Sequence, residues 1–369
     1  MVLKRAAALT VLTLAVLALL LALPAGRTAA APAPTAQPPE TSGVNAFPAN
    51  INPLTGLPVA DPALLDRKPV LIKVSNYPAN GRPHAGLSAA DMVFEYYIGE
   101  YANRFIALFY GQDASVVGPV RSGRLIDGQL ANLYHGILAY GNADPQVDDY
   151  LIRELGDRAI AFDDVNCPVM CGLRPHDVAG VFADSAALTR FAAGAGISQA
   201  RPNLDGMAFS TRLPQGGLPA QSLMVRYARF NKGEWRYDPA SGKYLRWIES
   251  WADVNEYPLI PLVDRNTGGQ LGFSNVILVF ARYIEYAPTL HDVQLWTNLG
   301  AQRAVLFRDG VMQEGTWHSP GYDRPLQFFD PSGLPLALKP GNTWVVVVGL
   351  SSKFNQLEGN GWELRYDLP

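Results

Sequence analysis

An uninterrupted apolar segment near the N-terminus constrains this chain most, because it decides which residues are left to build a water-soluble core. Lys4 and Arg5 precede a charge-free run at residues 6–23, and mostly small residues follow it. This order is typical of a secretory signal, although the run is nearly long enough to cross a membrane. We expect residues 1–30 to be a signal peptide cleaved near Ala30, or an uncleaved anchor, so that the chain is secreted or held at the outer face of the cytoplasmic membrane.

Beyond this segment the chain divides into a tether, two globular parts and a connection. Residues 31–48 are rich in proline and lack apolar periodicity, which predicts an extended tether. Residues 49–197 mix strand and helix patterns, residues 198–222 are rich in Pro, Gly and Gln, and residues 223–369 are nearly all β. The sequence therefore predicts an α+β fold, with an N-terminal mixed α/β domain followed by a smaller, mostly β domain that is barrel- or sandwich-like.

Short runs of apolar, aromatic and β-branched residues define the first domain. Strands are predicted at 70–74, 91–97 and 105–110, and helices at 129–134, 147–155 and 185–193. Asp144 and Ser185 are predicted N-caps, and the proline after Asp144 favours a helix start.

Short strands separated by turn signals fill the second domain. The predicted strands and hairpins cover residues 235–246, 276–280, 304–312, 326–329, 336–338 and 343–348. Asp309 and Gly310 are expected at the turn of one hairpin. The tryptophans of this domain either fill its β core or form a stacking platform for sugars, and they include Trp235, Trp247, Trp251, Trp296, Trp317 and Trp344.

The chain has two cysteines, Cys167 and Cys171. Outside the cytoplasm, a pair this close in sequence favours a disulfide that closes a tight loop. A zinc site needs three or four ligands, and only His176 lies nearby in the sequence; a redox site favours a spacing that is one residue shorter. We therefore expect a disulfide and no metal.

Several ordered motifs relate the chain to a known family. They are Asn52-Pro-Leu-Thr-Gly-Leu-Pro58, Arg82-Pro83-x-x-Gly86-Leu87-Ser88-x-Ala90-Asp91, Arg104-Phe105, Gly118-Pro119-Val120-Arg121-Ser122-x-Arg124, Gly315-Thr-Trp317 and Pro340-Gly-x-Thr-Trp344. With these motifs, which span most of the chain, the sequence resembles the YerB-like lipoprotein family, whose two domains have no assigned function. The resemblance implies an extracytoplasmic, membrane-tethered protein, and it implies little chemistry.

Two departures from the family pattern limit what the resemblance implies. Family members are often anchored through a cysteine after the signal, and this chain has no cysteine before Cys167, so lipidation there is not expected. Where the family pattern suggests an acidic residue beside an asparagine of the first strand, this chain has Ser75 and Asn76. The resemblance therefore does not support an essential carboxylate at that position.

Four arginines of the first domain form the candidate ligand-binding site. Arg82, Arg104, Arg121 and Arg124 each lie at or beside a predicted strand end, where binding sites are commonly built. A guanidinium group presents a planar fork of donors that suits carboxylate or phosphate. Ser122 adds a hydroxyl just before a predicted helix start, which favours anions. We expect these residues to converge on one face and to bind an anionic ligand.

Acidic and histidine side chains near the arginines allow an alternative interpretation of the site and also provide candidate accessory residues. In the alternative, each arginine pairs with a local acid such as Asp91, Glu95 or Asp127. The accessory candidates, as partners of the site or as a base, are Asp91, Glu95, His135 and His176, although His176 is equally typical of a solvated loop. No spacing fixes a catalytic triad, and neither a metal motif nor a phosphate-loop motif occurs, so we expect no metal and no cofactor.

The leading functional hypothesis is a non-enzymatic envelope module that binds an anionic envelope component or an envelope protein partner. The alternatives are a hydrolase or transferase acting on cell-envelope polymers, with a histidine or an acid as general base, and a structural scaffold without a small-molecule site. A formal net charge of −3 argues against a nucleic-acid partner, because such binding needs a basic surface. The membrane is a partner only through residues 1–30, if they are retained.

Overall fold

The computed structural model describes residues 41–42, 47–172, 180–296 and 300–368. The predicted signal or anchor, 1–30, and most of the predicted tether, 31–48, lie outside these ranges. The described residues belong to one compact unit, Pro38–Pro369. Within the described ranges, no helix is both long and apolar enough to cross a membrane.

Strands make up most of the described secondary structure. In the first half of the chain they are β1 (Thr41–Ser42), β2 (Ile51–Asn52), β3 (Leu57–Pro58), β4 (Val70–Ser75), β5 (Met92–Gly99), β6 (Ala102–Phe109), β7 (Ile137–Tyr140), β8 (Ala159–Ala161), β9 (Met170–Gly172) and β10 (Val181–Ala183). The strands predicted at 70–74, 91–97 and 105–110 are confirmed as β4, β5 and β6.

The second half of the chain contributes the longer series of strands. They are β11 (Phe209–Ser210), β12 (Leu218–Pro219), β13 (Ser222–Ala228), β14 (Asn231–Asp238), β15 (Lys243–Glu249), β16 (Leu259–Pro261), β17 (Gly272–Phe273), β18 (Asn275–Ala287), β19 (Leu290–Gln294), β20 (Gln302–Arg308), β21 (Val311–His318), β22 (Gln327–Phe329), β23 (Thr343–Gly349), β24 (Lys353–Gln356) and β25 (Gly361–Arg365). The hairpin turn at Asp309 and Gly310 is confirmed between β20 and β21. The strand predicted at 336–338 is wrong: Leu338 makes an isolated bridge to Phe209, and these apolar residues pack into the core without a ladder.

Strands from both halves of the chain build one large sheet, with twelve strands among the described residues. Its main order is β12-β21-β20-β18-β23-β5-β6-β4-β7-β8, and β19 and β22 pair with β18 and β21. The halves meet where β23 runs parallel to β5, with Thr343 opposite Met92. The sheet continues across this junction, so the strand pairing does not show where one domain ends. The boundaries at 198–222 stay a prediction.

A smaller sheet packs against one face of the large sheet. Its described strands are seven, in the order β16-β15-β14-β13-β25-β24, with β17 beside β15. Trp235 on β14 contacts Trp344 on β23, with ring centroids 5.0 Å apart, and both side chains are fully buried. These two tryptophans fill the core between the sheets, as one of the two interpretations of the tryptophans predicted. The α+β fold with a mostly β second domain is confirmed.

Helices cover part of the opposite face of the large sheet. The described α-helices are α1 (Leu125–Leu133), α2 (Pro145–Leu155) and α3 (Ser185–Gly194), and short 3-10 turns lie at Pro62–Leu65, Ala79–Gly81, Leu87–Ala89, Gly156–Arg158, Phe162–Asp164 and Glu358–Asn360. Leu130 of α1 and Leu151 of α2 share a core with Phe94 of β5. Leu188 of α3 belongs instead to the core between the two sheets.

One of the two predicted helix caps is confirmed. Asp144 caps α2, and its carboxylate accepts a hydrogen bond from the backbone N–H of Gln146 at 3.0 Å. The prediction for Ser185 is wrong, because Asp184 caps α3 by accepting from Ala187 N at 2.8 Å. The Ser185 hydroxyl donates to a carboxylate in a neighbouring loop instead.

The predicted disulfide between Cys167 and Cys171 is confirmed, with the two Cα atoms 4.6 Å apart. It closes a tight loop that leads into β9. Among the described residues, no group of three or more His, Cys, Asp or Glu side chains could hold a metal ion.

Candidate functional site

Three polar side chains on neighbouring strands lie on the sheet face that α1 and α2 cover. Successive side chains along a strand point to opposite faces. Leu71 on β4 and Ile106 on β6 belong to the core beneath the helices, so Lys73 and Arg104, two residues away on the same strands, share that face. Tyr96 on β5 lies directly opposite Arg104 in the antiparallel ladder. The strand register therefore gathers a lysine, a tyrosine and an arginine beneath α1.

Lys73 and Asp127 form a fully buried ion pair at the base of this group. The Nζ atom of Lys73 lies 3.0 Å from Oδ2 of Asp127, and both residues are 0% exposed. The Tyr96 hydroxyl accepts a hydrogen bond from Lys73 Nζ and donates one to Asp127 Oδ1. Burial lowers the pKa of Lys73 to about 7; Asp127 opposes this shift, whereas Arg104 and Arg124 reinforce it. Burial therefore opposes the positive charge of Lys73 that Asp127 stabilises.

Arg104 is a buried cation that forms no ion pair with any described residue. It is 6% exposed, its Nη1 donates to the backbone carbonyl of Ser122 at 2.8 Å, and its Nε has no acceptor in the described structure. Burial is the largest cause that lowers the pKa of Arg104, and the charges of Arg124 and Arg121 lower it further. The three guanidinium groups are thus close enough to repel one another.

Arg124 occupies the N-cap position of α1. Its backbone N–H donates to Asp127 Oδ2 at 2.7 Å, which satisfies the helix start. Its guanidinium Nη1 donates to the carbonyl of Gly123 at 2.7 Å, whereas Nε is buried without an acceptor and no ion pair forms among the described residues. Burial lowers the pKa of Arg124, and Asp127 partly offsets this. We refer to Lys73, Arg104, Arg121 and Arg124 as the cationic cluster.

Four other buried or largely buried arginines in the described part of the chain each have a carboxylate partner. The pairs are Arg67–Asp113, Arg82–Glu249, Arg246–Glu95 and Arg308–Asp309, with N–O distances of 2.8, 2.8, 3.2 and 2.8 Å. Arg82 therefore pairs with an acid of the smaller sheet and does not join the other three arginines, contrary to the expectation that all four converge. The local-acid interpretation does not hold for Arg82, because its carboxylate partner is distant in sequence. It does not hold for Arg104 and Arg124 either, which form no ion pair among the described residues.

A cavity of about 400 Å³ lies beside the cationic cluster, and we call it the α1–α2 cavity. Its polar lining comprises Ser122 and Arg124 before α1, Asn142, Asp144 and Gln146 around the start of α2, and Thr289 between β18 and β19. Both helices begin here, and the free N–H groups and dipole of a helix N-terminus favour anions. Ser122 Oγ donates to Asn142 Oδ1 at 2.7 Å, and the Asn142 amide N–H groups have no partner among the described residues.

The two acids proposed as accessory residues lie apart from the cationic cluster. Asp91 accepts hydrogen bonds from the Asn52 amide at 3.0 Å and from two backbone N–H groups, and burial raises its pKa to about 6. Glu95 accepts from Arg246 at 3.2 Å and from the Trp344 indole at 2.9 Å. Asp91 thus fastens the loop that contains Asn52, and Glu95 belongs to the core between the sheets.

Of the two candidate histidines, the described structure includes only His135, and it lies away from the cationic cluster. His135 follows the C-terminal end of α1, whereas Arg124 precedes its N-terminal end. Nine helical residues span about 13 Å at 1.5 Å per residue, so the two side chains lie at opposite ends. Burial lowers the pKa of His135, and Asp323 partly offsets it. His176 lies outside the described residues.

Sequence reasoning missed Lys73, Tyr96 and Asn142. Lys73 interrupts the apolar run at 70–74, and that was an available signal, because a lysine is rarely buried in a strand unless it is paired. Tyr96 and Asn142 carried no comparable signal, since their neighbours come from distant parts of the chain. The structure thus defines an α+β protein with a cationic cluster and a polar cavity at the start of two helices.

Comparisons with known proteins show to which family the chain belongs. Residues 54–166 match the N-terminal domain, and residues 223–345 the C-terminal domain, of DUF3048, described as a protein of unknown function. The structure is similar to the crystal structure of the YerB protein from Bacillus subtilis, with 25% sequence identity and a TM-score of 0.66 over 81% of this chain and 96% of that chain. No curated protein matches the chain. The chain belongs to the YerB-like two-domain family of unknown function, which confirms the resemblance seen in its motifs.

Proposed function

We propose that this protein is a non-enzymatic, extracytoplasmic binding module whose cationic cluster holds an anionic component of the cell envelope. The observation that carries the proposal is that Arg104 and Arg124 lie close together, largely out of water, without an ion pair among the described residues. An uncompensated buried charge costs about 3–5 kcal/mol. A bound anion would supply the missing negative charge and relieve the repulsion between the two groups.

The surroundings of Arg124 support an anion at this position. The N–H groups of the first turn of α1 and the positive end of its dipole add to the guanidinium charges. Arg124 lines the α1–α2 cavity, so a ligand in the cavity would lie next to this residue and its positive charge. Arg104 lies behind Ser122, to whose carbonyl it donates, and would act on the ligand through its charge.

Binding is a better fit to the described residues than hydrolysis or group transfer. No histidine of the described structure lies in the cationic cluster, and its carboxylate, Asp127, is held by Lys73 and Tyr96. A scaffold without a ligand would leave Arg104 and Arg124 with only the partial compensation that the nearby charge of Asp127 provides. An extracytoplasmic location is supported by the signal-like pattern of residues 1–30 and by the disulfide, because disulfides persist in oxidising compartments.

Calorimetric titration with sulfate and with anionic wall fragments tests the proposal. Arg124→Gln should weaken binding by about 1.5–3 kcal/mol, or roughly ten- to hundredfold, with no loss of melting temperature, because it removes a buried charge that has no ion pair among the described residues. Arg190→Gln is the matched control, because Arg190 is an exposed arginine on α3. Binding should also weaken with salt. The proposal fails if the wild type binds none of these anions, or if both variants bind as the wild type does.

The proposed location is tested separately by fractionating cells that express the chain. Mass analysis of the exported protein decides whether residues 1–30 are removed. Recovery of the protein only from the cytoplasm would contradict an extracytoplasmic module.

A further inference from the structure

The size and lining of the α1–α2 cavity indicate what kind of anion it takes, and this inference rests on the proposed function. The cavity holds about 400 Å³, whereas a water molecule occupies about 30 Å³ in the liquid. A simple oxyanion at Arg124 would therefore fill a small part of the space. The remainder leaves room for another part of the same ligand.

Neutral polar groups dominate the lining away from Arg124. Asn142 has amide donors without a partner among the described residues, and Gln146 and Thr289 add an amide and a hydroxyl. Ser122, whose own hydrogen goes to Asn142, keeps acceptor capacity. Amides and hydroxyls in this number suit a ligand that carries several hydroxyl groups.

Apolar side chains complete the lining of the cavity. Val147 of α2 is buried, and Leu290 at the start of β19 is half-buried; both line the cavity together with Ala143 and Ala287. A sugar ring presents C–H groups to such a surface and hydroxyl groups around its edge. A wall with both kinds of lining therefore suits a ring of this type.

Asp144 limits the number of anionic groups. One of its carboxylate oxygens accepts from Gln146 N, and the exposed carboxylate lines the cavity at the start of α2. A second anionic group there would be repelled, whereas a neutral part of the ligand would not. We propose that the α1–α2 cavity binds a saccharide with a single phosphate or carboxylate group, which lies at Arg124 while the ring hydroxyls meet Asn142 and Gln146.

Titration calorimetry on the full chain compares four probes: glucose 6-phosphate, glucuronate, inorganic phosphate and glucose. At least one of the two anionic sugars should bind ten times more tightly than inorganic phosphate and than glucose. Asn142→Ala should lose at least fivefold in affinity for that sugar and little for inorganic phosphate. Equal affinity for inorganic phosphate and both anionic sugars would overturn this inference and leave the anion site standing. Binding of none of the anions would overturn both.

The variant Asp144→Asn distinguishes an anionic sugar from a zwitterionic ligand, such as a free amino acid. Asparagine still caps α2, so the helix start is kept while the carboxylate charge is removed. Anionic sugars should bind this variant as tightly as the wild type or a few times more tightly. A large loss of affinity in Asp144→Asn, or tighter binding of alanine than of either anionic sugar by the wild type, would show that the carboxylate binds an ammonium group and would refute the saccharide.

Discussion

Lys73 on β4 and Asp127 on α1 form an ion pair with an N–O distance of 3.0 Å, and neither residue has any exposed surface. Asp127 also accepts the backbone N–H of Arg124 at 2.7 Å. One carboxylate therefore links the central sheet to the start of the helix that carries the candidate site. Two properties of the protein should depend on this link, namely its stability and the pH dependence of anion binding.

Removal of one partner of this pair should destabilise the protein more than removal of both charges. Lys73→Met leaves Asp127 buried without its cation, which costs about 3–5 kcal/mol. In the double variant Lys73→Met with Asp127→Asn neither member of this pair is left as an unpaired charge, and asparagine can still accept from Arg124 N, so the loss should be smaller. Urea unfolding of the wild type and both variants measures this. A double variant less stable than the single one would argue against the buried ion pair between Lys73 and Asp127.

Anion binding should weaken as the pH rises through about 7. Below this value Lys73 is protonated and adds a positive charge beneath Arg104 and Arg124; above it that charge is lost, because burial lowers its pKa to about 7. The groups that face Lys73 are Tyr96, Asp127 and these two arginines. One charge acting over roughly 10 Å at an effective dielectric of about 20 contributes about 1.7 kcal/mol, so the affinity should fall by about tenfold or more.

Sulfate is a suitable probe for this pH dependence, because its charge is constant near neutral pH. Affinity measured between pH 6 and pH 8.5 should fall for the wild type and stay level for Lys73→Met with Asp127→Asn. The same slope in both proteins would assign the titration to another group.

The disulfide should contribute about 2 kcal/mol to stability, the entropic value for so short a loop. Cys167→Ser with Cys171→Ser should therefore unfold at lower urea concentration than the oxidised wild type, and reduction of the wild type should have the same effect. Thiol titration of the unfolded, unreduced protein should find no free thiol. Two free thiols per chain would show that the bond is absent in the isolated protein.

The two halves of the chain should depend on each other for solubility. Residues 49–197 alone would expose the edge of β5 that β23 covers between Met92 and Tyr96, and an unpaired edge of this kind aggregates readily. We expect this fragment to be insoluble alone and soluble when co-expressed with residues 198–369. A protease site inserted after Pro214 gives the control: the nicked protein should stay associated. A soluble, folded fragment 49–197 would show that the first domain is independent.

The sequence by itself determined the features that depend on residues close together in the chain. The strands β4, β5 and β6, the turn at Asp309, the cap at Asp144 and the disulfide all follow from local patterns, because each needs only a few neighbouring residues. Arg121 and Arg124 lie three positions apart on one turn, so part of the candidate site was also visible. The family motifs added the class of protein and no chemistry.

Only the tertiary structure decided which charges meet. Arg82 and Glu249 are 167 positions apart, and Lys73 and Asp127 are 54 apart. No local sequence pattern could therefore show that either pair meets. The junction of β5 and β23 joins residues that are even farther apart in the sequence, such as Met92 and Thr343, and it merges the two halves into one sheet. Pairing across such separations is set by strand order and by which face each side chain takes. For this reason the sequence predicted four converging arginines, and the fold left Arg82 with an acid while it placed Arg104, Arg121 and Arg124 beside Lys73.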